Sequence, residues 1–153
     1  MRLWIMRHGQ AEGSVVAGDA NRRLTPWGRL EAQRRAQDFA EEWQQAVLIS
    51  SPYRRAVETA AEVAEVIGGV ILETWPELAP EGDAQLVLKQ LQTCGHSKLV
   101  LVTHMPLLSR LTGLLKDGQA SSLYPLATAG VHVLEGIEGG IGAGMAQWRR
   151  TCS

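Results

Sequence analysis

Short, continuous apolar runs alternate along this chain with longer amphipathic segments, and few architectures accept that alternation. Leu3-Trp4-Ile5-Met6 has no polar position to turn toward water, as expected of a strand covered on both faces. Val47–Ile49, Val70–Leu72 and Leu99–Val102 repeat the pattern, with helical stretches between them long enough for crossover connections. Such βα units predict an α/β fold, a three-layer α/β/α sandwich around a mostly parallel sheet. The length of 153 residues fits one domain spanning residues 1–153, large enough to bury a core without covalent staples.

Residues 14–24 read as a loop, with Gly18, Asp19 and Asn21. Thr25 is expected to cap a helix that opens on Pro26 and runs to about Trp43. Ala32, Ala36, Phe39, Ala40 and Trp43 fall on its inner face, and Gly28 lies in its first turn. Ser51 is predicted to cap the next helix, with Pro52 opening it and Gly68-Gly69 stopping it. Its stripe is Ala56, Thr59, Ala60, Val63, Ala64 and Ile67. The segment Trp75 to Asp83, with two prolines and a glycine, is irregular; Asp83 then caps a helix through about Gln92. A further helix is expected from Pro106 to about Leu115, and final strands at Val131–Leu134 and Met145–Trp148. Gly136, Gly139, Gly140, Gly142 and Gly144 read as a flexible turn between them.

Fifteen basic against sixteen acidic residues leave a net charge of −1. No global field marks a nucleic-acid or membrane-surface binder, and no basic stripe is interleaved with aromatics. The five tryptophans, at positions 4, 27, 43, 75 and 148, read as core or rim packing. Cys94, expected on a helix, and Cys152 have no metal-ligand spacing and make a poor disulfide framework. No run approaches membrane-spanning length and the N-terminus enters a strand at once, so the expected address is the cytoplasm. No metal or other cofactor is expected, and a monomer is.

Arg7-His8-Gly9 follows the first apolar run. In open α/β sheets ligands bind outside the carboxyl ends of the strands. A neutral histidine there can attack phosphorus through one ring nitrogen while the other donates to a backbone carbonyl. Gly9 suits close approach of backbone and ligand, and Arg7 suits bidentate binding of phosphoryl oxygens. After the second run, Ser51-Pro52-Tyr53-Arg54-Arg55 puts arginines in the first turn of a helix, where backbone N–H groups favour anions. Neighbours on a helix point about 100° apart, so one arginine is expected to reach the site, and Arg55 is the choice. Thr103-His104 repeats the arrangement at the fourth strand, where an imidazole can stabilise transferring phosphoryl oxygens. His96, in a Gly-His-Ser-Lys turn, and His132, within an alternating strand, read as structural.

With these residues in place, the chain resembles the histidine phosphatase superfamily, the phosphoglycerate mutase-like proteins. Arg7-His8-Gly9, Ser51-Pro52 with Arg55 and Ala56, and Thr103-His104-Met105-Pro106 stand in that family's order. Near-minimal length and Pro76-Glu77-Leu78-x-Pro80-x-Gly82-Asp83 are similar to its short SixA-type phosphohistidine phosphatases. The resemblance implies attack by His8, a phosphohistidine intermediate and hydrolysis by water. Arg7, Gly9, Arg55 and His104 would bind the phosphoryl group, without a metal. It also implies a carboxylic acid after the third strand that protonates the leaving group. Glu77 matches best, with Glu81 and Asp83 as reserves; Glu12 lies near the catalytic triplet, and Gln10 stands where some relatives carry an acid.

Only about two dozen residues separate Leu72 from Leu99, room for a loop and one crossover helix and not for the helical lid of larger relatives. An open site admits a phosphorylated side chain projecting from another protein. The expected substrate is therefore protein phosphohistidine, such as that of a histidine phosphotransfer domain in phosphorelay signalling. The alternatives are a small-molecule phosphate monoesterase of the same superfamily or a non-catalytic phosphoprotein-binding module.

Overall fold

The computed structural model describes residues 1–136 and 140–153. Six strands form one sheet, β1 (Arg2–Arg7), β2 (Val47–Ser50), β3 (Ile71–Thr74), β4 (Lys98–Thr103), β5 (Val131–Gly136) and β6 (Ala146–Cys152), in the order β3-β2-β4-β1-β5-β6. The first four are mutually parallel; β5 runs antiparallel to β1, and β6 antiparallel to β5. Four helices cover it, α1 (Pro26–Asp38), α2 (Arg54–Ile67), α3 (Ala84–Thr93) and α4 (Leu107–Asp117).

The apolar runs explain the layers. Successive side chains of a strand face opposite sides, so β1 divides its four fully buried residues between two cores. Leu3 and Ile5 pack with Leu88 and Leu91 of α3 and Leu108 and Leu111 of α4. Trp4 and Met6 pack with Ala32 and Ala36 of α1 and Ala56 and Val63 of α2. The α/β/α sandwich with a mostly parallel sheet follows from that division. Between β3 and β4 the chain holds a 3-10 turn, Pro76–Leu78, and α3. Both bury residues in the core, Leu78 among them, so neither is a lid over the strand ends. No helix among the described residues is long and apolar enough to cross a membrane.

Several boundaries differ from the expectation. α1 ends at Asp38 rather than near Trp43. The Phe39 N–H reaches back to the carbonyls of Ala36 and Gln37, the tightened bonding of a last turn. Phe39 and Trp43 nevertheless stack at 4.8 Å and stay buried, so the helical spacing of apolar residues continues through a non-helical turn. α2 begins at Arg54, with Tyr53 at its N-cap and no side-chain cap; Ser51 is not the cap and Pro52 is not the first residue. β3 is displaced to Ile71–Thr74, α3 extends to Thr93, α4 spans Leu107–Asp117, and β6 extends to Cys152. Cys94 sits at the C-cap of α3, and both cysteines are free thiols. Asp83 does cap α3, accepting from the Gln85 N–H at 2.8 Å. Of the glycines between β5 and β6, Gly139 lies outside the described residues.

Packing gives Gly9 a reason of its own, beside the one its motif implied. A Cβ there would lie 2.4 Å from the Gly28 carbonyl oxygen, and one on Gly28 would lie 2.0 Å from that of Gln10. The glycines thus let the strand end cross the first turn of α1 backbone to backbone. Gly28→Ala is expected to destabilise the fold by about 3 kcal/mol, because the obstruction is backbone and cannot rotate away. Urea unfolding should show the loss as a lower midpoint with little change in slope.

Candidate active site

Three adjacent strands, β2, β4 and β1, end side by side, and the backbone keeps them in register beyond their last residues. The His8 N–H donates to the Thr103 carbonyl at 3.1 Å, and the Ser51 N–H to that of Val102 at 3.0 Å. His8, Ser51 and His104 are thereby placed together, all at least nine-tenths buried. The rings of His8 and His104 lie 5.0 Å apart, centroid to centroid.

Nδ1 of His8 is 2.7 Å from the Gly9 carbonyl oxygen. A carbonyl only accepts, so the ring proton sits on Nδ1 and Nε2 keeps its lone pair. Burial holds the imidazole neutral, lowering its pKa to about 4 against the opposing pull of the Gly9 carbonyl; Arg55, Arg7 and Arg22 push it down further. A neutral imidazole with a free Nε2 is the form that attacks phosphorus.

Arg55 is buried at 4% exposure, and its Nε donates to His8 Nε2 at 3.3 Å. Its other nitrogens hold Asp19, through the carbonyl at 2.8 Å and the carboxylate at 3.2 Å. Arg54 points to solvent and pairs with Glu58, so of the two neighbours Arg55 reaches the histidines. Arg7 donates through Nη1 to the Leu126 carbonyl at 2.8 Å. Burial pulls its guanidinium down from the ordinary value, Glu31 opposes that shift, and Arg55 adds to it. Gly9 donates its N–H to Thr59 Oγ1 at 3.0 Å; that donor is committed to α2.

His104 Nε2 lies 2.8 Å from Ser51 Oγ, with the Tyr53 ring edge-on at 5.3 Å. Burial, reinforced by His8 and Arg55, lowers its pKa to about 2. Arg7 Nε, His104 Nδ1 and Glu77 Oε2 are buried without hydrogen-bond partners. Buried polar groups are ordinarily satisfied, and here three exceptions belong to residues expected in one site.

Glu77 lies on the 3-10 turn, which is seated against β4 by the Thr103 hydroxyl donating to the Leu78 carbonyl at 2.7 Å. No hydrogen bond among the described residues joins Glu77 to either histidine. The reserves are otherwise engaged. Asp83 caps α3, exposed Glu81 lies 3.5 Å from Arg110, and the Glu12 carboxylate holds Arg23. The Gln10 side chain accepts from Thr25. His96 is near Glu73, and His132 bonds Thr151 and the Tyr124 carbonyl.

Sequence reasoning missed Asp19 and gave Ser51 the wrong task. Asp19 opens a single 3-10 turn, Asp19–Asn21, inside the segment expected to be loop, too short for any periodicity to single it out. Arg22 bonds its carboxylate, and that contact, with Arg55, lowers its pKa.

The model of the histidine phosphatase superfamily (branch 1) matches residues 3–80. The phosphohistidine phosphatase SixA of Escherichia coli is 31% identical over 129 residues, covering 81% of this chain and 80% of that protein. The phosphohistidine phosphatase SixA homolog of Haemophilus influenzae is 30% identical over 142 residues, 84% of this chain and 86% of its own. The solved structure of the protein histidine phosphatase SixA complexed with tungstate superposes with a TM-score of 0.88 at 27% identity, covering 100% of this chain and 97% of that one. The chain belongs to branch 1 of the histidine phosphatase superfamily, among its short SixA-type phosphatases.

Proposed function

We propose that this enzyme hydrolyses phosphohistidine on a protein, such as a histidine phosphotransfer domain, through a covalent intermediate on His8. The observation that carries the reading is the His8 imidazole itself, buried and neutral, with its Nδ1–H donated to the Gly9 carbonyl and its Nε2 facing Arg55. An incoming phosphoryl group draws the Arg55 Nε–H from that nitrogen onto its own oxygen and frees the lone pair. Nε2 then forms a bond to phosphorus as the substrate's P–N bond breaks. When the substrate ring carries a proton on its other nitrogen, it leaves as neutral imidazole and needs no acid. Water next attacks phosphorus as the P–Nε2 bond breaks; the water's oxygen and both its protons leave in dihydrogen phosphate, which gives one proton to solvent at neutral pH, and His8 returns to its neutral form with the proton on Nδ1.

Arg7, Arg55 and His104 supply donors to the equatorial oxygens, where charge accumulates in phosphoryl transfer. Gly9 shapes the site by holding the strand end against α1. Glu77 is the carboxyl assigned to proton delivery, which a poorer leaving group than imidazole would require. The uncovered strand ends favour a side chain presented by a folded partner, and the relatives named for phosphohistidine support that class. Two free cysteines are consistent with a reducing cytoplasm, where a monomer meets its partner.

The test is phosphate release from a phosphohistidine-bearing phosphotransfer domain, beside small phosphate monoesters at equal concentration. The expected result is a kcat/KM at least about 100-fold higher on the protein substrate, a difference of roughly 3 kcal/mol in transition-state stabilisation. Comparable or faster turnover of the monoesters would overturn the substrate class. Binding of the phosphoprotein without turnover would overturn the enzymatic reading.

A further inference from the structure

We propose that Ser51 selects the tautomer of His104, so that this ring offers Nδ1–H to the transferring phosphoryl group. The inference rests on the phosphatase reading and assigns Ser51 as a positioning residue, acting through His104.

Ser51 is fully buried. Its Oγ accepts the Tyr53 N–H at 3.1 Å and lies 2.8 Å from His104 Nε2. A serine hydroxyl has one proton and two lone pairs, and the Tyr53 N–H takes one lone pair. Were His104 protonated on Nε2, the hydroxyl would accept twice and its own proton would be left over. Nδ1 is buried without a protein partner in either tautomer, so the Ser51 hydroxyl decides between them. With the proton on Nδ1, the hydroxyl donates to Nε2, and the Tyr53 N–H, the hydroxyl and Nε2 are all satisfied. The ring nitrogen left for a ligand is then a donor, which suits a phosphoryl oxygen as a lone pair would not.

The two histidines thus carry protons on the same ring atom by opposite means. The Gly9 carbonyl accepts from His8 Nδ1 and leaves a nucleophilic Nε2. The Ser51 hydroxyl donates to His104 Nε2 and leaves a proton on Nδ1. One ring presents a lone pair and its neighbour, at 5.0 Å, presents a hydrogen. Tyr53 belongs to the device twice, through its N–H on Ser51 and its ring against His104.

Two-bond 1H–15N correlation spectra of protein labelled with 15N-histidine at pH 7 decide the point without any substrate. His104→Gln assigns the signals. Wild type should show His104 protonated on Nδ1, and added inorganic phosphate should shift that proton downfield. Ser51→Ala should move His104 toward the Nε2-protonated form. On a phosphohistidine protein, kcat should fall roughly tenfold to a hundredfold while KM changes less, and Ser51→Thr should restore most of it. A wild-type ring protonated on Nε2 would overturn the proposal, even if the variant failed to fold. An unchanged tautomer in folded Ser51→Ala would do the same. Failure of the substrate assay alone would count against the phosphatase reading and leave the tautomer assignment standing.

Discussion

His8→Ala is expected to abolish turnover, lowering kcat on the order of 10⁴- to 10⁶-fold, the scale seen when the nucleophile is removed from a group that acts as a unit. No other imidazole can take its place, because only His8 is held with Nε2 unprotonated and accepting from Arg55, a bond that a phosphoryl oxygen can take over. His104 has its Nε2 on Ser51 and is further disabled as a nucleophile by the proton assigned to Nδ1. The variant should keep its fold at neutral pH, since the backbone bonds around position 8, to Thr103 and from Ala129, are independent of the side chain. Wild type quenched in alkali during turnover should carry a phosphate that is stable to base and released by acid; His8→Ala should carry none. Residual activity within about 100-fold of wild type, far above the loss expected for a missing nucleophile, would remove His8 from that role and with it the covalent intermediate.

The fold was legible where one residue type served two layers. A strand with no polar position, such as Leu3 to Met6, can only lie between two covered faces, and all four side chains are fully buried. The end of α1 was illegible because Phe39 and Trp43 keep a helical spacing in a turn whose buried face resembles a helix's. Within the site, the residues at strand ends could be read because the backbone ladder itself brings β1, β2 and β4 together. Ser51 was misread for a physical reason. Ser-Pro before an apolar stripe is a good N-cap pattern, and its hydroxyl does accept a backbone N–H two residues on. Only the fold shows that the same oxygen also meets His104. Asp19 had no local signal at all, since its partner Arg55 is 36 residues away in sequence. The glycine pair was half legible: Gly9 was expected to allow close approach of backbone, and its crossing with Gly28 of α1, 19 positions on, left no local signal.

Burying two neutral histidines should make this protein sensitive to mild acid, before its carboxylates titrate. His8 ionises near pH 6.5 in an unfolded chain and is lowered to about 4 in the fold. His104 is lowered to about 2. Between those values and about 6.5 the unfolded chain binds more protons than the folded one, so the free energy of unfolding falls as pH falls. Stability is full above about pH 6.5, declines through the window, and from His8 loses nothing more below about 4. At pH 4.5 the two rings together should have removed about 5 kcal/mol, enough to lower the melting temperature by roughly 10–20 °C in a chain of this size. Carboxylates lowered by their partners, such as Asp19 and Glu62, have the same sign but act only as pH approaches their unfolded values near 4. Urea unfolding at pH 7 and pH 4.5 reads the difference, and His8→Asn with His104→Asn should remove most of it. An equal loss in the double variant would place the acid sensitivity outside the site. Across the range where wild type stays folded, kcat/KM should hold nearly level from pH 7 to about 5, because His8 is already neutral there. A fall centred near 6.5 would mean that the nucleophile titrates like an exposed imidazole, and the burial that makes it reactive would lose its role.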